Sequence, residues 1–295
     1  MSRLSKRESS AQLMSQIESN ISCPNCKSSM RVDVAQLTCE KGHSFDIAKQ
    51  GYVNLLTRAV KTNYHKELFD SRRKLITESV FFAPLHQKLT ELIIEVQGSS
   101  RLFILDAGSG EGSHLYKIHH GLLDYTPEKI TAAGIDIAKE GILKAAKYYG
   151  GQNWFVADLA NIPFQNQTVN IILNILSPAN YDEFTRVLEK DGLAIKVVPQ
   201  KDYLIQLREF NDDRPKHDTL YSNEPTVELF YQHFKDVEKI DLQYDVLLDE
   251  EHLDLLLHMT PLTWNWSDEK TNNFKASGIR SISVDFDILI GYKKL

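Results

Sequence analysis

From residue 101 onward the chain alternates between short apolar runs and amphipathic stretches. The runs "LFILDAG", "ITAAGIDI", "NWFVADL", "TVNIILNIL" and "GLAIKVVP" are nearly continuous apolar blocks. Strands covered on both faces have that character. Helical spacing separates several of them, in "AKEGILKAAKYY" and "YDEFTRVLE". Further on, "KDYLIQLREF", "PTVELFYQHF" and "DEEHLDLLLHM" read as helices, and "VEKIDLQYDVLL" and "SISVDFDILIGYKK" as strands. Upstream, a helix is expected from about Lys66 to Glu78, and Leu85, Leu89, Leu92, Ile93 and Val96 recur at helical period. Strands alternating with helices predict an α/β fold with a doubly wound, mostly parallel sheet, here of seven strands. Residues 61–295 are assigned to this domain, with its core from about 101. Residues 1–60 lack the pattern and form a separate N-terminal region.

That region holds the three cysteines of the chain, in "CPNCKSSMRVDVAQLTCEKGH". Cys23, Cys26, Cys39 and His43 follow C-x2-C-x12-C-x3-H. Two ligands two residues apart form a tight knuckle, and a hairpin such as "MRVDVAQLTC" brings back a second pair, completing a tetrahedron suited to Zn²⁺. Gly42 permits the second bend. A redox C-x-x-C usually stands alone at a helix start, without a second pair. Four protein ligands leave no open position, so the metal is structural. A unit this small lacks the apolar core to fold unaided.

Charge sharpens the division. The chain carries a net charge of −6. Residues 1–75 hold 13 Lys/Arg and 7 Asp/Glu, and the remainder 21 and 33. A basic N-terminal part is the side that would meet a polyanion. No apolar run is long enough to span a membrane. The opening "MSRLSKRESSAQLMSQ" has no signal-peptide core and reads as a tail or short helix, so a cytoplasmic location is expected.

"LDAGSGEGSHL" sits where the first strand hands over to a helix. Gly108, Gly110 and Gly112 give G-x-G-x-G, with Glu111 within the turn and Ser113 where the dinucleotide fingerprint would have its third glycine. Asp106 precedes the turn by two residues and suits a cationic, phosphate-free ligand. Asp136 ends the second strand, where a carboxylate can hold both ribose hydroxyls. Asp158 ends the third, where it can accept from an adenine amino group. Each acid alone could be a helix cap. Three in series after this turn point to S-adenosylmethionine and a Rossmann-like class I methyltransferase.

The acceptor atom is narrowed by exclusion. Pyrimidine C5 methylation uses a cysteine nucleophile, and all three cysteines are committed to zinc. Exocyclic amine methylation uses an Asn/Asp-Pro-Pro-aromatic loop after the fourth strand, whereas "NILSPANYD" stands there. A ring nitrogen or an oxygen remains. Guanine N1 carries a proton that must leave, and no base is identified.

The zinc window, "HSFDIAKQGYVNLL", "LDAGSGEG" and "HMTPLTW" together resemble the RlmA-like 23S rRNA guanine-N1 methyltransferases that act in hairpin 35, a family with a tylosin-resistance branch. The resemblance runs from about Cys23 to the C-terminus. It implies a zinc domain that helps grip RNA, S-adenosylmethionine as donor, and often a homodimer whose cleft uses both subunits. It places zinc on Cys23, Cys26, Cys39 and His43, and the donor on the Gly108–Ser113 turn with Asp136 and Asp158. An aromatic before the first strand touches the donor in this family; Phe82 stands there. A histidine after the fifth strand is also used; Tyr203 stands in its place. Of the two branches, which modify neighbouring guanines, the one linked to macrolide response is expected.

Tyr52 and Asn54 are candidates to stack on or read a splayed base, with Phe45, Ile47, Val53, Leu55 and Leu56 packing the zinc domain on its neighbour. Arg72, Arg73 and Lys74 are candidate phosphate contacts or a solvated helix face. Trp264 and Trp266 pack a loop, or one of them lines a base pocket. Two other functions fit less of the chain: a quinone-type small-molecule methyltransferase, and a zinc-dependent RNA-binding factor without activity.

Overall fold

The first helix, α1 (Lys6–Ser15), begins at a reciprocal cap: the Ser5 hydroxyl accepts the Glu8 N–H, and the Glu8 carboxylate accepts the Ser5 N–H. Such a box satisfies two amide donors that the first turn otherwise leaves open. The computed structural model describes residues 4–60, 64–96, 101–125, 130–211 and 222–294. After α1, the strands β1 (Met30–Asp33), β2 (Gln36–Cys39) and β3 (Ser44–Asp46) form a three-stranded antiparallel sheet. Next come β4 (Tyr52–Asn54), α2 (Lys66–Glu78) and α3 (Ala83–Val96).

The larger part continues with β5 (Leu102–Ala107), α4 (Ser113–Leu123), β6 (Ile130–Asp136), α5 (Lys139–Tyr148) and β7 (Asn153–Val156). It proceeds through β8 (Val169–Ile175), α6 (Tyr181–Val187), β9 (Leu188–Pro199), α7 (Ile205–Asn211) and α8 (Glu224–His233). It closes with β10 (Phe234–Leu247), α9 (Glu250–Met259), α10 (Asp268–Ala276) and β11 (Ser281–Lys293). The strand order is β10-β11-β9-β8-β5-β6-β7-β4. The β4 to β9 pairings are parallel; β11 lies antiparallel to β9, and β10 to β11. This is the Rossmann-like methyltransferase sheet that the alternation predicts.

It has eight strands, not the seven expected. The extra one is β4, whose residues 52–54 pair with 154–156 of β7. Three residues are too few to display a period, and the partner lies some hundred positions downstream, so local pattern could not find it. The boundary expected at residue 60 adjoins 61–63, which lie outside the described residues. Met14, Ile17 and Ile21 share a buried cluster with Phe155 and Phe164 on one face of the sheet. Leu85, Leu89 and Ile93 of α3 join Leu115 and Ile118 of α4 in the other cluster. Progress through the sheet reverses between β5 and β8, and ligands of open α/β sheets bind at that crevice.

Candidate functional site

In the small sheet, two turns of similar build face each other. The Lys27 N–H returns to the Cys23 carbonyl at 2.8 Å, and the Gly42 N–H to the Cys39 carbonyl at 2.9 Å. Lys27 (φ 64°) and Gly42 (φ 82°) supply the left-handed residues that such turns need. The donor atoms of Cys23, Cys26, Cys39 and His43 all lie within 4.8 Å of one another. Cys26 and Cys39 sulfurs are 3.7 Å apart, and His43 presents Nδ1 at 3.5 Å from Cys23 and 3.4 Å from Cys39. A zinc–sulfur tetrahedron has edges of about 3.8 Å, from bonds of ~2.3 Å. Burial pushes the Cys23 thiol up to about 11, while hydrogen bonding to Ser28 draws Cys26 down to about 6. A soft divalent cation at the centre would hold all three as thiolates, and the donor set fits zinc.

This knuckle docks on the large domain. Ser22 and Gln165 N–H groups reach Pro163 and Asn20 carbonyls at 3.0 and 2.7 Å. The Asn161 side chain donates to the Pro24 carbonyl at 3.3 Å and accepts from Lys27. Asn161 ends the short turn that Asp158 caps, so the metal knuckle rests on the loop that carries Asp158.

At the other turn, Gly108, Gly110 and Gly112 all have positive φ. A Cβ on Gly108 would meet the Ser177 hydroxyl at 1.9 Å, and one on Gly112 would strike the Trp154 ring at 2.5 Å. Both positions therefore demand glycine on two counts, backbone and space. Asp136 accepts the Gly110 and Ala138 N–H groups, both at 2.7 Å. Ser113 is buried, its hydroxyl 2.7 Å from that of Tyr149. Burial pushes Asp106 up to about 7 and also raises Asp136. Asp106 Oδ1 has no hydrogen-bond partner.

Arg72 of α2 reaches over this turn. Its Nε lies 3.1 Å from Glu111 Oε2, a charge contact without hydrogen-bond alignment. Arg72 is thus turned inward rather than toward phosphate. Arg73 pairs with Glu78 at 3.3 Å and lies over the Tyr148 ring. Three buried or half-buried carboxylates, Asp106, Glu111 and Asp136, face one guanidinium. A cationic ligand with hydroxyl and amide-like edges fits that surplus of negative charge and the orphaned oxygen.

A cavity of about 890 Å³ opens on the turn. Phe82, Gly108, Gly110, Asp136, Asp158 and Tyr203 line it. Asp106, Glu111, Gly112 and Ser113 stand behind that lining. Phe82 lies edge-on to His114, with centroids 4.8 Å apart. His114 Nδ1 is 2.8 Å from His86 Nε2; burial drives both below the usual range, His86 to about 3, so both stay neutral. The cavity is also lined by Pro178, Lys196 and Trp264. Trp264, 45% exposed, stands edge-on to Tyr64, 44% exposed, at 6.1 Å. Trp266 packs inward on Phe210 and Phe274.

Tyr52 is buried in the main core, so its ring is not available to stack on a base. Asn54 is exposed and its side chain accepts the Leu56 N–H. Ile47, Val53 and Leu55 are buried, as packing residues would be. Among the lining residues, Tyr64, His114 and Lys196 were not singled out in the sequence, and Arg72 was given a different role. A charged residue inside a strand that is otherwise apolar was the one visible signal, at Lys196 of "GLAIKVVP".

Known proteins bear on this geometry. A family model described as "RlmA, N-terminal", a zinc ribbon, matches residues 21–62. YxjB of Bacillus subtilis (strain 168), provisionally named a 23S rRNA (guanine-N(1)-)-methyltransferase, is 44% identical over 275 residues, covering 92% of this chain and 96% of its own. The 23S rRNA (guanine(748)-N(1))-methyltransferase of Streptomyces fradiae is 29% identical, over 82% of this chain and 85% of its own. Among solved structures, the YcgJ protein of Bacillus subtilis is 18% identical, with a TM-score of 0.46, covering 71% of this chain and 99% of its own. A zinc-fitting ribbon docked on a class I sheet, matched along nearly its whole length at this identity, settles the grouping: the chain belongs to the RlmA-like 23S rRNA (guanine-N1)-methyltransferases.

Proposed function

We propose that this protein transfers a methyl group from S-adenosylmethionine to N1 of a guanine in hairpin 35 of 23S rRNA, on the branch linked to macrolide response. The observation that carries the reading is one cavity that joins an acidic glycine turn to a pair of half-exposed aromatics. The donor's sulfonium supplies an activated methyl, and the surplus carboxylates of Asp106, Glu111 and Asp136 suit its charge. Asp136 would hold the ribose hydroxyls, Asp158 the adenine edge, and Phe82 and Tyr203 the apolar walls. Trp264 and Tyr64 stand where a base swung out of its stack would enter; aromatic faces hold such bases well.

The zinc ribbon supports an RNA substrate over a small molecule. Arg31, Lys41, Lys49 and Arg58 are exposed on or beside it, available to phosphates. The relative from Streptomyces fradiae is named for guanine 748, and the corresponding guanine is the target we favour here. We also infer that two copies act together, each contributing to one RNA cleft.

Primer extension across hairpin 35 tests the reading, in cells with and without the protein. A methyl on N1 blocks Watson–Crick pairing, so a stop dependent on the protein is expected beside the modified guanine. A stop at the neighbouring guanine would move the protein to the other branch. No stop, with donor binding intact, would overturn the rRNA target.

A further inference from the structure

Lys196 sits in β9 with 4% of its surface exposed. Its Nζ donates to Asn174 Oδ1 at 2.5 Å and to the Ser177 carbonyl at 3.0 Å. Among the described residues, no carboxylate lies within ion-pair distance of it. Asn174 cannot turn its amide away, because its Nδ2 is committed to the Ala107 and Pro178 carbonyls at 2.7 and 2.9 Å. These contacts pin the segment Leu176–Ala179, which leaves β8 through Leu176 in the left-handed region (φ 52°). Burying an ammonium without a counter-charge is costly, and an apolar side chain would be more stable there. Proteins retain such arrangements where function needs them.

Lys196 lines the cavity, as Pro178 does, and the strand order puts β9 across β8 and β5 from β6 and β7, the strands that lead into Asp136 and Asp158. The ammonium carries three hydrogens, and two are taken. The third has no acceptor among the described residues. We propose that Lys196 gives this hydrogen to O6 of the target guanine and so stabilises the anion formed when N1 loses its proton. The proposal rests on the guanine-N1 reading above. Guanine N1–H is conjugated with the O6 carbonyl, so the negative charge left by deprotonation sits largely on O6. A fixed cation there is worth most in a site shielded from water. N1 gives its proton to water and bonds to the methyl carbon; the electron pair of the broken carbon–sulfur bond stays on sulfur. Burial lowers Lys196 to about 8. Most of it therefore carries its proton at neutral pH, as a cation facing O6 must.

Lys196→Met and Lys196→Arg test this in the full-length, zinc-loaded protein. Turnover on the hairpin is measured from pH 6 to 9.5, alongside donor affinity and Tm. Lys196→Met should lose about 100- to 1,000-fold in kcat at pH 7.5, the scale of one anion-stabilising donor removed. Its donor affinity should hold and its Tm should not fall. Its rate should climb steadily with pH, as the unassisted guanine ionises, whereas the wild-type rate should level off above about pH 8, where loss of the ammonium offsets the gain in guanine anion. Lys196→Arg, which keeps the charge, should recover most of the loss. If the wild type methylates N1 and Lys196→Met matches its rate and pH profile, the proposal fails. A profile unchanged in shape with kcat merely lowered would assign Lys196 to holding the Ser177 segment instead, and also overturns it. If the wild type places no methyl on N1, the guanine reading itself fails.

Discussion

Two parts of the cavity wall are built differently. Where the donor would lie, three carboxylates and three left-handed glycines come from one run of the chain, Asp106 to Asp136, with Asp158 close behind. In the rest of the wall, Trp264, Tyr64, Pro178 and Lys196 come from four distant segments. A ligand shared by many enzymes can be held by backbone turns at strand ends, where topology alone brings the groups together. A particular acceptor needs walls of particular shape and charge, and these are borrowed from wherever the fold passes. The donor part should therefore fail abruptly and locally, and the acceptor part by degrees.

The sharpest break should come at Gly108. Gly108→Val puts a branched side chain at φ 87° and onto Ser177. Donor affinity should fall by more than about 100-fold, a loss of ~3 kcal/mol, in keeping with strain at a glycine-only position. Calorimetric titration measures it. An unchanged affinity would detach the turn from the donor.

In the acceptor part, Trp264→Ala should leave donor affinity alone and raise KM for the RNA by roughly 10-fold, about one stacked base at ~1.4 kcal/mol. An equal loss in both would mean that the two parts are not separable.

The smallest effect belongs to pH. Asp106 sits near 7 because burial raises it. A cationic donor favours its charged form, so donor affinity should improve a few-fold from pH 6 to 8, and Asp106→Asn should flatten that trend. Stability without donor runs the other way. A carboxyl raised in the folded state holds a proton that the unfolded chain has lost, so Tm should fall as pH rises from about 4 to 7 and level off above that. A Tm rising through that window would place Asp106 at its ordinary value.

The same contrast explains what could be read from sequence alone. The helix expected at Lys66 to Glu78 has those bounds in the structure, because its period and its breaks are local. The strands of the parallel core were visible as unbroken apolar runs. The Cys23–His43 cluster follows from spacing alone. What stayed hidden was set by distance along the chain. Arg72, expected as a phosphate contact or part of a solvated helix face, instead faces Glu111 on another element. Tyr52, a candidate to stack on a base, is buried where β4 joins the sheet beside β7. Lys196 gave a faint signal, a charge inside an apolar strand, but its partners at 174 and 177 are not neighbours in sequence.

The β4–β7 pairing also bears on how the chain matures. Residues 52–54 leave the ribosome long before 154–156 exist, so this edge of the sheet waits for some hundred residues of synthesis. Closing so wide a loop is slow compared with forming the local hairpins of the ribbon. A ribbon already locked by its metal would act as a clamp held open, ready to seal the sheet once β7 emerges. A chain starved of zinc during translation should then leave β7 as a bare edge, the kind of surface that recruits other strands, and collect in aggregates rather than as an idle enzyme.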